Sequence, residues 1–214
     1  MDQEIEIINT NTRIEKIKNF FINYKKYLIS ILLIIILLLF SYFYYEDYKS
    51  DKKEQLANKY NIAVIKYNSN EKQNIDQMFK EIILAKDETY SPLAFYFLLD
   101  NDLISSAEEI NSYFDILIND INLENEIKNL VIFKKGLYNS DFANENEMLN
   151  ILNPLIKSDS IWKPHSLYLM AEYYLAKNQK QKSKEFFNQV LEMENISPKI
   201  KLEVQKRLRL NFSE

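Results

Sequence analysis

The chain has no cysteine among its 214 residues and only one glycine, Gly136. Without thiols there can be no disulfide, thiolate metal site, catalytic cysteine or lipidated cysteine anchor. A single glycine cannot build the Gly-rich loops that cradle phosphates. Histidine is equally scarce: His165 stands alone, so no His pair can bind zinc and no His-centred nucleophile triad stands out. It directly follows Pro164 at a helix start, where an exposed, structural role is expected. Carboxylate pairs such as Glu108-Glu109 and Glu124-Glu126 are what solvated helix faces ordinarily supply. An enzyme is not expected, and no cofactor, metal or small-molecule substrate is called for.

Basic charge is not in excess either. The formal net charge is −4 and the pI about 5.3, with both signs interleaved along the chain. No basic face of the kind that binds nucleic acid is visible.

Charge is missing altogether from Tyr27 to Tyr45, a run that also lacks Pro and Gly. At ~1.5 Å per residue such a helix is roughly 28 Å long, close to the ~30 Å hydrocarbon core of a bilayer. Lys25 and Lys26 abut one end, and Glu46 and Asp47 the other. Tyr24 and Tyr27 on one side, with Tyr42 to Tyr45 and Tyr48 on the other, stand where interfacial aromatic belts form. A buried core helix would keep a polar face. A cleaved signal would need a shorter apolar core and small residues at its exit, where Tyr42, Phe43 and Tyr44 stand instead. The run therefore reads as an uncleaved transmembrane anchor, with Tyr27, Leu28, Leu39 and Tyr45 in contact with the lipid bilayer.

Lysines and arginines flank both sides almost equally, but Lys25 and Lys26 touch the membrane edge whereas the far side starts at Lys49. Proximity places the N-terminus in the cytoplasm. The expected organisation is a cytoplasmic segment, 1–26, a transmembrane helix, 27–45, and an outer domain, 46–214. Ile14, Ile17, Phe20 and Phe21 in the first segment fit either a short surface helix or the first turns of the anchor helix.

Beyond the run every segment carries helical period and no strand pattern competes. Leu56, Ala57, Tyr60, Ala63, Val64 and Tyr67 form one face up to a break at Asn68-Ser69-Asn70. Ile75, Met78, Phe79, Ile82 and Ile83 form the next. Ser91-Pro92 reads as N-cap and first helical position of a short apolar helix, 93–99. A helix capped by Ser105 or Ser106 follows, then one carrying Ile127, Leu130, Val131, Leu137 and Tyr138, then one from about Glu145. Pro154 should kink that last helix or break it beforehand. Gly136 is either a close-approach position or an ordinary helix interior.

The C-terminal third is the most regular. Leu167, Met170, Ala171 and Tyr174 face Ser183, Phe187 and Val190 across a turn at Asn178-Gln179. Framed from Pro164 to Ser197, these residues occupy the packing positions of the 34-residue tetratricopeptide pattern. Leu167 replaces its usual Trp, Ala171 its Gly, and Ser183 a small residue. Ser197-Pro198 opens a last helix with Ile200, Val204 and Leu208 on one side, as the closing helix of a hairpin stack requires. The fold class is all-α: one transmembrane helix, then a tetratricopeptide-like stack of helical hairpins, an α-solenoid. Within that frame His165, Tyr168 and Glu172 project towards a concave surface able to hold a partner protein.

Taken over nearly its full length, the chain resembles the YfgM-like ancillary subunits of the SecYEG translocon. The resemblance lies in Phe21-Ile22-Asn23-Tyr24-Lys25-Lys26-Tyr27 entering the anchor and Tyr42 to Tyr48 leaving it. Further along it lies in Leu152-Asn153-Pro154-Leu155, Ser160-Ile161-Trp162-Lys163-Pro164 and Ile196-Ser197-Pro198. The chain departs from that family's Ala- and Gly-rich repeats in its use of Ile, Asn and Lys. The resemblance implies a bacterial inner-membrane protein with a periplasmic repeat domain. It also implies SecYEG and a PpiD-like chaperone as partners, and assistance to proteins as they emerge. An envelope or cell-division scaffold and a structural helical stalk are the alternatives.

Overall fold

The computed structural model describes residues 2–71, 73–194 and 196–212, with side chains from residue 15 onward. Among the described residues the chain is all-helical, with no strand. It divides into two units, Met1–Leu56 and Ala57–Glu214. The first helix, α1 (Asp2–Asn68), runs through the division as one α-helix, so the apolar run continues without a break into the helix that follows it. The side chains of Arg13 and Ile14 lie outside the described residues.

Within the second unit the end of α1 is followed by α2 (Ile75–Leu84), α3 (Tyr90–Asp100), α4 (Ala107–Asn119) and α5 (Asn125–Asn139). Then come α6 (Glu145–Ile156), α7 (Lys163–Ala176), α8 (Lys180–Leu191) and α9 (Pro198–Phe212). Consecutive helices pack on one another, and α5 also touches α7 and α7 touches α9. That second set of contacts aligns the first helices of successive hairpins, the arrangement of a repeat stack.

Three successive apolar clusters hold the stack. The first joins Ala63 of α1 to Phe79, Ile82 and Ile83 of α2, Phe95 and Leu98 of α3, and Phe114 and Leu117 of α4. Phe79 stacks on Phe97 at 4.4 Å and Phe95 meets Phe114 edge-on at 4.8 Å. The second joins Ile132, Met148, Leu152, Leu155, Met170 and Tyr174 across α5, α6 and α7. The third joins Leu167 and Ala171 of α7 to Phe187 and Val190 of α8 and Val204 of α9. Each large side chain buried this way is worth roughly 1.5–3 kcal/mol.

Several helix ends follow their sequence signals. Ser106 caps α4 by accepting the Glu109 N–H, and Asn144 and Glu147 form a reciprocal capping box on α6. Ser197 accepts the Ile200 N–H at 3.3 Å at the start of α9.

Two local expectations are corrected, and of the two alternatives at Pro154 one falls away. Ser91 is not the cap of α3, which starts at Tyr90. Its fully buried hydroxyl accepts the Asp87 N–H and donates to the Ile82 carbonyl, both at 2.9 Å, tying α3 to the end of α2. Asp87 caps instead, its carboxylate accepting the N–H groups of Thr89 and Tyr90. Pro154 does not break α6 beforehand: the helix continues to Ile156, because a proline in the last turn removes only one interior hydrogen bond. The buried stripe of α5 is rotated, with Val131 and Ile132 inside and Ile127 and Leu137 exposed.

Gly136 is a close-approach position. A Cβ built there lies 2.5 Å from Leu152 Cδ2 and 3.0 Å from its Cγ. Alanine improves helix propensity by up to ~1 kcal/mol, but overpacking costs about 1–3 kcal/mol. Gly136→Ala is therefore expected to lower thermal stability by about 1 kcal/mol, read by far-UV circular dichroism. In a Leu152→Ala background the clashing atoms are gone and the same change should be neutral or stabilising; an equal loss in both backgrounds would refute the contact.

A second prediction concerns acid stability. Glu109 Oε1 lies 2.9 Å from Lys80 Nζ and accepts the Tyr113 hydroxyl at 2.8 Å. The Lys80 hydrogen bond, reinforced by Tyr113, holds the Glu109 carboxyl below its ordinary range. A depressed carboxyl contributes stability that is fully present above its unfolded value, ~4.3, and is lost as pH falls through the folded value. Glu109→Gln should lower stability at pH 6 to 8, where the contribution is fully present, and flatten its decline below about pH 4.3, so that wild type and variant converge in acid. Denaturant titrations across that range read it directly.

Candidate functional site

The apolar run sits in the first unit with no cover. An 18-residue window of it has mean hydropathy 2.5 and none of it is buried. Tyr27, Leu39 and Tyr45 are broadly exposed and Leu28 half so. An exposed apolar surface of this extent marks a membrane or protein interaction site, since a soluble core helix would be covered. The helix is long and apolar enough to cross a bilayer once.

In the second unit all seven positions of the tetratricopeptide frame are buried. Leu167 and Ala171 of α7 meet Phe187 and Val190 of α8, Met170 and Tyr174 turn to α5 and α6, and Asn178 makes the turn at φ 57°. Packing those residues inward fixes the opposite side of α7 outward. There His165, Tyr168 and Glu172, at i, i+3 and i+7, come together on one groove. Phe133 and Leu137 of α5 form one wall; Ser197, Lys199, Ile200 and Glu203, at the start of α9, form the other. Leu169 lies between, and the groove encloses about 680 Å³.

The groove has two unlike ends. His165 shares a neighbouring depression with Lys163, Ser197 and Ile200, where α7 and α9 begin. Two turns further along, the Glu172 carboxylate pairs with Arg207 Nε at 2.8 Å, beside Glu203. The two helices therefore run parallel, with lysines and positive helix starts at one end and the Glu172–Arg207 pair beside Glu203 at the other. Arg207 Nε also donates to the Tyr168 hydroxyl at 3.4 Å. Burial, the largest influence, pushes the Tyr168 phenol above its ordinary value, so it stays a neutral donor and acceptor.

His165 is half-buried, contrary to its expected exposure. Its ring packs against Trp162 at 5.3 Å and Phe133 at 5.9 Å, and those two rings stack on each other at 5.5 Å. The histidine Nδ1 and the tryptophan Nε1 are both buried without a hydrogen-bond partner. Both nitrogens are covered by the surrounding rings, so the groove surface itself is offered by Phe133, Leu137, Leu169 and Ile200 with the polar groups of Tyr168, Lys199 and Glu203. Among the described residues no cluster of three or more His, Cys, Asp or Glu could hold a metal ion.

The sequence pointed to the α7 side of this groove and missed its walls. Helical period puts Leu137 in a buried stripe, whereas it is exposed, and nothing local marks Phe133, Lys199 or Glu203 as neighbours of His165. Only the packing of α5, α7 and α9 brings them together.

Comparison with known proteins agrees with this architecture at a coarse level. Residues 18–100 match a family described as a tetratricopeptide repeat-like domain. The matched stretch takes in the apolar run, α2 and α3, and stops before the hairpin of α7 and α8. No curated protein and no solved structure matches the chain.

The outer wall of the groove depends on how firmly α9 is docked, and Val204 is its one fully buried residue among those described. Val204→Ala removes about two methylene equivalents of burial, roughly 1.5–2 kcal/mol. Amide hydrogen exchange should accelerate in α9 while α2 to α4 keep their protection. Uniform acceleration would mean that α9 is not a separately stabilised wall.

Proposed function

We propose that the chain is a membrane-anchored protein-binding scaffold whose repeat domain, residues 46–214, lies in the bacterial periplasm and assists proteins leaving the Sec translocon. Residues 27–45 are the single span of the inner membrane and residues 1–26 the cytoplasmic segment. The observation that carries the binding role is the groove between α5, α7 and α9. It combines an apolar floor with lysines at one end and the Glu172–Arg207 pair beside Glu203 at the other. An extended polypeptide segment fits it, with an apolar side chain between Phe133, Leu137 and Ile200 and polar groups within reach of Tyr168, Lys199 and Glu203.

The tetratricopeptide repeat-like match supports a protein-interaction scaffold. The translocon, a PpiD-like chaperone and the periplasmic orientation rest on the resemblance to the YfgM-like subunits and on Lys25 and Lys26 at the near edge of the run.

Affinity purification of the full-length protein from gently solubilised membranes tests the assignment. SecYEG and a PpiD-like chaperone should co-purify, and Leu137→Asp, at an exposed groove position, should weaken recovery at least about fivefold without unfolding the domain. Absence of both partners from the wild-type eluate would overturn the translocon reading. Undiminished recovery with Leu137→Asp would move the contact off the groove.

A further inference from the structure

The stretch of α1 before the apolar run is two-sided. At 3.6 residues per turn, Lys18 and Lys25 share one stripe with Phe21, Ile22, Ile29 and Leu32, along a shallow depression of about 520 Å³. Phe20, Tyr24 and Tyr27 form a separate aromatic stripe, with ring centroids 4.9 and 6.4 Å apart in succession. Lys18 and Lys25 thus lie on one side of the helix and the rings of Phe20, Tyr24 and Tyr27 on another.

Lys18 and Lys25 lie two turns apart, ~10 Å along the axis, with the apolar pair Phe21 and Ile22 between them. Their aliphatic stems can lie along that pair while the ammonium groups converge above it. No ion pair among the described residues engages either lysine. Below them the stripe turns wholly aliphatic at Ile29 and Leu32. Two cations followed by an aliphatic track is the order in which a phospholipid presents its phosphate and its acyl chain.

We propose that this stripe is a binding site for one anionic phospholipid, its phosphate held between Lys18 and Lys25 and an acyl chain lying along Ile29 and Leu32. The site rests on the reading of the run as a membrane span, but not on any role of the groove. A second copy of the same helix is a poorer occupant, because it would bring four lysines together. A zwitterionic lipid carries the same phosphate but adds an ammonium that repels the pair.

The test uses the full-length protein in mixed micelles containing equal phosphatidylglycerol and phosphatidylcholine, with retained lipid read by native mass spectrometry. One phosphatidylglycerol should be retained per chain in preference to phosphatidylcholine. The double change Lys18→Gln with Lys25→Gln should reduce that retention roughly 30-fold, the combined worth of two basic groups at an anionic surface. Lys49→Gln with Lys52→Gln removes the same charge beyond the other end of the run and should leave retention unchanged. Equal loss in both double variants, or equal retention of the two lipids by the wild type, would overturn the site. Millimolar inorganic phosphate should not displace the lipid; displacement would show a free-phosphate site and overturn the lipid assignment. Recovery of wild-type protein in the aqueous fraction without detergent would instead overturn the membrane span itself. Loss of co-purifying partners alone would leave this site standing.

Discussion

Close approach of helices at small side chains is what the rest of the helical stack depends on. With no disulfide available, a net stability of the usual 5–15 kcal/mol has to come from packing, where one methylene is worth about 0.8 kcal/mol. Ala63, Ala94, Ala171, Ser91, Ser166 and Ser183 are fully buried, and Gly136 receives the side chain of Leu152. Large residues then fill the layers between these contacts: Phe79 and Phe95 in the first cluster, Met148 and Leu152 in the second, Phe187 in the third. Ser183 is held there by size, since its hydroxyl is buried without a partner and gains nothing from being polar. The groove inherits its position from this requirement. Because Ala171 and Leu167 must face α8, His165 and Glu172 cannot, and Tyr168 stands at the border, its ring edge-on to Phe187 and its hydroxyl in the groove.

The scarcity of glycine has its own structural counterpart. Left-handed backbone at the turns is supplied by Asn70, Asn74, Asp102 and Asn178, with φ between 51° and 62°. Short polar side chains that bond their own backbone make that region affordable. Lys86 is the exception at φ 55°, where a residue without such a side chain costs of order 1 kcal/mol or more. Its ammonium pairs with Asp120 at 2.6 Å, between the α2–α3 turn and the end of α4. The one glycine is thus reserved for a helix contact that no side chain could occupy, while the turns make do with asparagine.

What was legible in the sequence was what repeats locally. The apolar run, the helical stripes, the capping serines at 106 and 197 and the turn at Asn178-Gln179 all follow from spacing within about ten residues. The misreadings share a cause. Ser91-Pro92 has the local look of a helix start, yet the buried Ile82 carbonyl captures the serine hydroxyl and leaves the cap to Asp87. On α5 apolar residues lie on more than one side, so period alone could not tell that Ile132 would face Leu152 and Met148 while Leu137 faced solvent. The groove walls were beyond reach for the same reason, since Phe133 and Glu203 become neighbours only through α7.

Anchoring changes what such a groove has to achieve. Its floor is small, its ends are charged and open to water, and much of any ligand's main chain would remain solvated, so a single segment has little apolar area to bury against it. On the proposed reading the domain and its partners are confined to one membrane, which turns encounter into an effectively intramolecular event. Short flexible tethers give effective concentrations in the millimolar range, enough to fill a site whose intrinsic affinity is only micromolar to millimolar. Weak sites of this kind also release quickly, because affinity differences lie mainly in the dissociation rate. A protein that meets extended chains of many sequences gains from that combination: contacts to the main chain and to any apolar side chain, occupancy supplied by the membrane, and no tight complex to undo. On that reading the 67-residue helix, which carries the apolar run and ends in the first core cluster, joins those two requirements in one element.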